Sequence, residues 1–456
     1  MAGKEYDLTP RNVPLVKTKY RTIVTRIPAP GSVPILKKLR KFEPRSMRGQ
    51  PPVIWDRAKG CQVWDAWGNK WLDWSSGVVV ANAGHGHPEI VEAVIKQARK
   101  QLHNYCFPSD LRARLAEMLV KAAPKGIDKC FLLTTGAETT ECAFKLCRTY
   151  GQTVGGKKKI GMVSFHGAFH GRTLGAQQLG GSPALKDWIV NLDPSIWHVP
   201  FPDGYWVEDT RFDSFLNSLK ELNVTPDMVS GVITETYQGG NASFAPPEYM
   251  QKLRQWCTRH DVLLVTDEVQ AGFGRTGKYW GFEHYGIVPD IICCGKGISS
   301  GLPLAAVLGR GDVMDLYAPG SMTSTHTGSP LCVVAAIANL KVIKKEKLVA
   351  NSAKMGRVLH RELAKIQRKY RQRVGTVLGK GLVASLHMIA KGPKAPDVDL
   401  AFAVVTRCVE KGLLFFSPVG ISCVKIAPPL CINEEQILEG CQVLDEAIGE
   451  VLAEGA

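Results

Sequence analysis

Long apolar runs are what this sequence most lacks. No uninterrupted apolar stretch approaches the roughly 18 residues a membrane span requires, and the opening MAGKEYDLTPRNVP has no apolar core of the kind a signal peptide carries. A soluble, cytoplasmic protein is expected, with no membrane partner. Paired cysteines are missing too: the count is 13, an odd number, with no CxxC spacing anywhere. That pattern suits reduced, buried thiols, as in Cys293-Cys294, better than a disulfide framework or a zinc site. His85 with His87, and His166 with His170, come nearest to ligand pairs. Each pair lies in a glycine-rich turn without a carboxylate or thiol as immediate neighbour, so no metal is expected. Internal repeats and low-complexity tracts are absent as well.

Acidic residues are in short supply, since 57 Lys and Arg face 42 Asp and Glu, a formal charge of +15. The excess is local. Residues 1 to 50 hold 12 Lys or Arg against 3 acids, giving +9 in a proline-punctuated arm with one short helix expected near Ile35 to Lys41. No RNA or DNA motif follows, so the arm is expected to pack on a partner subunit or attract anionic substrates, and no nucleic acid is expected.

What is present is a globular composition, 45% hydrophobic and 22% charged over 456 residues, enough for two or three domains. Cys61 to Gly77 alternates apolar and polar residues about an Asn69-centred turn and predicts a hairpin, its tryptophans Trp64, Trp67, Trp71 and Trp74 belonging to the core. A glycine-rich loop leads to a helix from Pro88. From about residue 110 strands and helices alternate, the signature of a doubly wound α/β domain. Strands are expected at Lys129–Thr134, Ile160–Phe165, Val229–Thr234, Val262–Val265 and Asp290–Cys294. Their ends supply Gly136, Phe169, Glu235, Asp267 and Lys296, all beyond the carboxyl edge of one sheet, where open α/β sheets place ligands. Gly136 and Ala137 open a helix whose unbonded N–H groups suit a phosphate. A helix follows from Pro330, and after about residue 345 a long amphipathic helix, Val349 to Tyr370, begins a smaller domain.

An Asp after a strand is often only a helix cap, and a Lys in a glycine-rich loop is usually solvated. An acid and an amine delivered together to one edge are harder to explain that way. Gly272, Gly274 and Gly277 match the dinucleotide fingerprint by letter, but no helix follows to receive a pyrophosphate.

The stretch VLLVTDEVQAGFGRTGKYWGFEHYGIVPDIICCGKG, with its continuation to Leu304, resembles the class III aminotransferases, and the resemblance extends over roughly residues 50 to 445. It implies a pyridoxal 5'-phosphate (PLP) enzyme of fold type I: a mixed, mostly parallel sheet flanked by helices, with a smaller α+β domain from both termini. The implied division is 1–78 for arm and part of the small domain, 79–345 for the large domain and 346–456 for the rest of the small one. By resemblance Lys296 is the Schiff-base lysine and Asp267 the partner of the pyridinium nitrogen. Gln270 reaches the ring 3'-oxygen, Phe169 stacks on the ring, Glu235 lies near it, and Gly136 and Ala137 hold the phosphate. Thr325 contacts the phosphate of the neighbouring subunit, Arg172 grips a substrate carboxylate, and Val78 lines the substrate pocket. Chemistry agrees for the central pair: a lysine nucleophile needs desolvation to be neutral, and an ionised aspartate keeps the ring protonated as an electron sink.

Two positions depart from the 4-aminobutyrate type. Gly240 stands where that type has a second glutamate, and Lys425 where it has an arginine for the α-carboxylate, so Lys425 is expected to lack a neutralising partner. The implied reaction is ping-pong amino transfer from an ω-amino acid or related primary amine to 2-oxoglutarate or pyruvate. The implied assembly is a homodimer with the active site at the subunit interface, pairing into tetramers being left open. Racemases and a decarboxylase share the motifs and stay as alternatives, as does a non-catalytic binding protein.

Overall fold

The computed structural model describes residues 4–105, 107–392, 394–418 and 421–455. They form two compact units, one of Pro88–Val349 and one of Met1–His87 with Ala350–Ala456. Among the described residues no helix is long and apolar enough to cross a membrane.

In the unit built from both termini, the basic arm packs on its own chain. Val16–Lys17 (β1) and Thr22–Ile23 (β2) join Arg57–Lys59 (β3), Gln62–Trp64 (β4) and Lys70–Asp73 (β5) in one sheet of order β1-β2-β5-β4-β3. Ile23 and Ile27 are buried in a cluster with Val63 and Trp71. Tyr20 donates to Glu435 at 2.6 Å, and Arg21 donates to Glu439 at 2.7 Å and to the Lys411 carbonyl at 2.6 Å. Part of the arm's positive charge is thus matched by acids of the helix Glu434–Ala453. Strands of two residues are too short to leave a readable alternation, which is why the arm looked unstructured in sequence.

The expected hairpin is formed by β4 and β5, with Val63 opposite Trp71. Asp65 organises its turn by accepting from the N–H groups of Trp67 and Asn69, both at 2.9 Å, while buried Asn69 accepts from Val24 N–H. Trp71 and Trp74 are core residues, whereas Trp64 and Trp67 are partly exposed, Trp64 lying under the Arg57 guanidinium.

The unit Pro88–Val349 holds seven strands: Lys129–Leu133 (β6), Gly161–Phe165 (β7), Ile196–Val199 (β8), Val229–Glu235 (β9), Leu263–Asp267 (β10), Ile291–Cys294 (β11) and Ala305–Gly309 (β12). Their order is β6-β12-β11-β10-β9-β7-β8. Strand β12 is antiparallel to both neighbours and the other pairs are parallel, so β6, β7, β9, β10 and β11 all end at the same edge. Leu263, Leu264, Val265, Ile291, Ile292, Cys293 and Cys294 are at most 1% exposed. Such continuous apolar runs are what a parallel sheet covered on both faces demands.

The chain returns to the first unit through the long helix Leu348–Lys369, followed by Val374–Lys380 (β13), Val383–Met388 (β14), Leu413–Leu414 (β15) and Cys423–Ile426 (β16). Strands β13, β14 and β16 make an antiparallel sheet, and β15 pairs in parallel with β5. Of the 13 cysteines, twelve are thiols in the structure and Cys106 lies outside the described residues.

Candidate active site

Parallel register sets the centre of the site. Asp267, last residue of β10, is level with Glu235 on β9 and with Cys293 on β11, so two carboxylates and, three residues after Cys293, the Lys296 amine leave the sheet side by side. Lys296 itself has φ of 43°, a left-handed conformation costly for a residue with a Cβ. Burial pushes its amine below the ordinary lysine value, opposed by the charges of Asp267 and Glu235. The neutral, nucleophilic form is thereby favoured.

Three close approaches assemble the rest. A Cβ on Gly136 would lie 2.8 Å from Val269 Cγ1, and one on Gly295 would lie 3.5 Å from the same atom and 3.8 Å from the Gly136 nitrogen. The first turn of the helix Gly136–Gly155 is thus seated against the loops that follow β10 and β11. Thr135 closes that turn as a capping box, its hydroxyl accepting from Glu138 N–H at 3.3 Å while Glu138 accepts from Thr135 N–H at 2.8 Å. The N–H groups of Gly136 and Ala137 precede the first intrahelical bond and form a donor-rich cradle suited to a phosphate. On the other side, a Cβ on Gly239 would sit 2.2 Å from Gln270 Nε2 and 2.6 Å from Glu235 Oε1, so Gln270 and Glu235 meet at this glycine.

The loop after β7 completes the group. Phe169 is 37% exposed, and its N–H donates to Glu235 Oε2 at 3.0 Å; Gly239 N–H donates to Oε1 at 2.8 Å. Both carboxylate oxygens of Glu235 are therefore bonded, yet burial pushes its carboxyl up to about 7, with Asp267 adding to the rise and His170 opposing it. The exposed Arg172 guanidinium lies over the Phe169 ring, 5.5 Å from its centroid.

His170 is a member of the site that sequence reasoning did not find. Its Nδ1 lies 2.8 Å from Asp267 Oδ2, its side chain is fully buried, and its carbonyl accepts from Thr140 at 2.7 Å. The other Asp267 oxygen accepts from Val269 N–H at 3.0 Å, so the acid also serves the turn. The only signal in the sequence was the repeated histidine of HGAFHG, which was weighed only as a metal pair and set aside. In the structure His166 instead faces His198, with ring centroids 6.1 Å apart.

Thr325 is exposed in the segment before the helix Pro330–Lys345, while its neighbour Thr327 bonds to the Leu132 carbonyl of β6. Val78 and Lys425 belong to the other unit. Val78 is 45% exposed in a turn where Ser76, Gly77, Val78 and Val79 all have φ between 50° and 66°, a marked departure for two valines. Lys425 lies on β16, 4% exposed, with Nζ 5.6 Å from the Phe416 ring centroid. The expectation that it stands without a partner is corrected, because a cation over an aromatic face is partly compensated. At the opposite edge of the seven-stranded sheet a 550 Å³ cavity has Arg254, Asp290 and Arg310 in its lining, both arginines pairing with Asp290.

A buried strand-end acid, an amine in the turn just beyond the adjacent strand and a donor-rich helix start beside them fit the PLP-dependent enzymes of fold type I. The class III aminotransferase family model matches residues 45–448, and the chain belongs to that family. It is 34% identical over 420 residues to the 4-aminobutyrate aminotransferase of Escherichia coli, covering 89% of this chain and 96% of that one. It is 34% identical over 403 residues to the acetylornithine aminotransferase of Caldanaerobacter subterraneus, covering 88% and 95%. Among solved structures, a Bacillus anthracis aminotransferase superposes with a TM-score of 0.84 at 28% identity, covering 92% of this chain and 99% of that chain.

Proposed function

We propose that this aminotransferase moves the amino group of an ω-amino acid or related primary amine to a 2-oxo acid, with Lys296 and Asp267 as its catalytic residues. The pairing of Asp267 with Cys293, three residues before Lys296, carries this reading, and the relatives named for 4-aminobutyrate and acetylornithine support the donor class. When bound, PLP supplies a carbonyl for covalent capture of the amine and a protonated ring that accepts the electron pair of the broken C–H bond.

The residues divide the remaining work. Gly136 and Ala137 would donate to the phosphate, Phe169 would cover one face of the ring, and Gln270 and Glu235 would border it. Asp267 would partner the ring nitrogen, and His170 would hold that carboxylate in place. Lys296, its amine pushed below the ordinary lysine value by burial, would take a proton from the substrate carbon and return it on the other side of the transfer. Arg172 binds the distal carboxylate of the donor through its planar fork, and Lys425 attracts the α-carboxylate of the acceptor as a point charge. The active protein is a cytoplasmic homodimer in which Thr325 reaches the partner's phosphate.

A donor panel of 4-aminobutyrate, 5-aminovalerate and simple alkylamines, run with pyruvate and 2-oxoglutarate and scored for new amino acid by chromatography, tests the reading. Transfer from ω-amino acids is expected, and Arg172→Ala should weaken carboxylated donors by more than about tenfold relative to alkylamines. Equal losses for both donor types would remove the substrate assignment, and racemisation without any acceptor would replace the reaction.

A further inference from the structure

Two thiols outside the active site lie against each other in the unit formed by the two termini. Cys61 Sγ and Cys431 Sγ are 3.6 Å apart although 370 residues separate them in sequence. Cys61 occupies the two-residue tip of the β3–β4 hairpin, its carbonyl accepting from Asp73 N–H at 2.8 Å, and it is 4% exposed. Cys431 follows Pro428, Pro429 and Leu430 and keeps partial exposure. The backbone holds the pair together from one side: a Cβ on Gly84 would lie 2.8 Å from Cys431 Sγ and 3.2 Å from Gly60 Cα, and Gly84 has φ of 91°. Gly60 and His85 exchange two backbone hydrogen bonds, and Leu430 N–H donates to the Asn82 carbonyl at 2.9 Å.

We infer that Cys61 and Cys431 are a covalent modification site, a dithiol that accepts one disulfide equivalent from a small disulfide of the glutathione type. Closing the bond requires each sulfur to move by less than about 1 Å, with the hairpin tip and the 428–431 segment already in place. A metal would need further ligands, and among the described residues no group of three or more His, Cys, Asp or Glu side chains is placed to hold one. Three of the other thiols do not compete: Cys147, Cys293 and Cys294 are fully buried, and burial pushes each well above the ordinary cysteine value, which disfavours the reactive thiolate.

The exchange runs in two displacements. Cys431, the more accessible thiol, loses its proton and attacks one sulfur of the small disulfide, whose S–S bond breaks and releases one small thiol. Cys61 then loses its proton and attacks the Cys431 sulfur of the mixed disulfide, expelling the second small thiol. Two protein thiols are oxidised by two electrons, the small disulfide is reduced to two thiols, and the two protons end on those thiols. The bond would staple the hairpin tip to the C-terminal segment and fix the 76–85 loop between them, the loop that carries the left-handed turn at Val78.

The test uses the full-length holoenzyme incubated with oxidised glutathione, alkylated with N-ethylmaleimide, digested and examined by mass spectrometry. Expected are a Cys61–Cys431 cross-linked peptide, the loss of two titratable thiols, reversal by dithiothreitol, and a rise of roughly 5 °C in the unfolding temperature of the oxidised protein. Cys61→Ser should trap glutathione on Cys431, and Cys431→Ser should abolish uptake at Cys61. A stable glutathione adduct on wild-type Cys431 without cross-link, or a cross-link between other cysteines, would overturn the inference. The wild-type mapping decides the matter even where a serine variant fails to fold.

Discussion

At the scale of single residues, Asp267 shows how far one side chain's meaning depends on its second neighbour. In sequence it is an acid at a strand end, open to reading as a cap. In the structure one oxygen does serve the turn through Val269 N–H, while the other meets His170 at 2.8 Å. If His170 positions the carboxylate, His170→Phe should lower the rate of the proton-transfer step while KM for the amine changes little, and His170→Asn should recover part of the loss because it keeps a short polar group toward Asp267. Asp267→Asn should be the more damaging change, since it removes the charge itself. Single-turnover absorbance of the cofactor measures that step directly; equal effects of His170→Phe on KM and on the step would assign the histidine to general packing. The pairing was illegible beforehand because it joins residues from the ends of two strands, and nothing in their spacing encodes it.

Glu235 offers a second residue-scale test with a definite sign. Burial raises its carboxyl from the ordinary 4.5 to about 7 in the folded protein, so between those values the folded state holds a proton the unfolded chain has released. The contribution is fully present below about 4.5 and is lost as pH rises through about 7. Glu268 is raised in the same direction by burial, also to about 7, although three donors, Thr236 and the N–H groups of Gly281 and Phe282, hold it. The unfolding free energy of the cofactor-depleted protein should therefore carry a falling component between about pH 4.5 and 7. Glu235→Gln should flatten that component, as followed by urea denaturation at several pH values. An unchanged slope in the variant would place the proton elsewhere.

At the scale of elements, the strand ends were legible because buried parallel strands leave apolar runs, and each strand here ends at or shortly before Gly136, Phe169, Glu235, Asp267 or Lys296. Helices at Pro88, Gly136 and Pro330 were legible from their start signals. What stayed hidden was contact between loops, such as the seating of Gly136 on Val269. That contact predicts a suppressor pair. Gly136→Ala puts a methyl 2.8 Å from Val269 Cγ1 and should shift the helix start, costing about 1 to 3 kcal/mol in stability and weakening PLP binding. Adding Val269→Ala should restore much of both, read by thermal unfolding and by absorbance titration with PLP. No rescue would mean that the glycine is needed for the ligand's own approach and not for packing between the loops.

At the scale of the whole molecule, the arm and Thr325 mark opposite limits of sequence reading. The arm's charge suggested a partner subunit or anionic substrates, and residues such as Arg21 are also tied to acids of its own chain. Thr325, read only by resemblance, is exposed where Thr327 is anchored. Subunit mixing can decide its role. Thr325→Asp would set a carboxylate against the phosphate it is proposed to contact, and Lys296→Ala removes the reactive amine; each homodimer should be nearly inactive. If Thr325 serves the neighbouring subunit, a hybrid places an intact Lys296 from one chain beside an intact Thr325 from the other. Equal mixing yields roughly half hybrids, each with one intact site of two, so activity should recover to roughly a quarter of wild type. If Thr325 acts on its own chain's site, every hybrid site carries one of the two defects and no recovery occurs. The same mixing experiment fails to exchange chains at all if the protein is a monomer, and tagged-subunit copurification separates that case from the second.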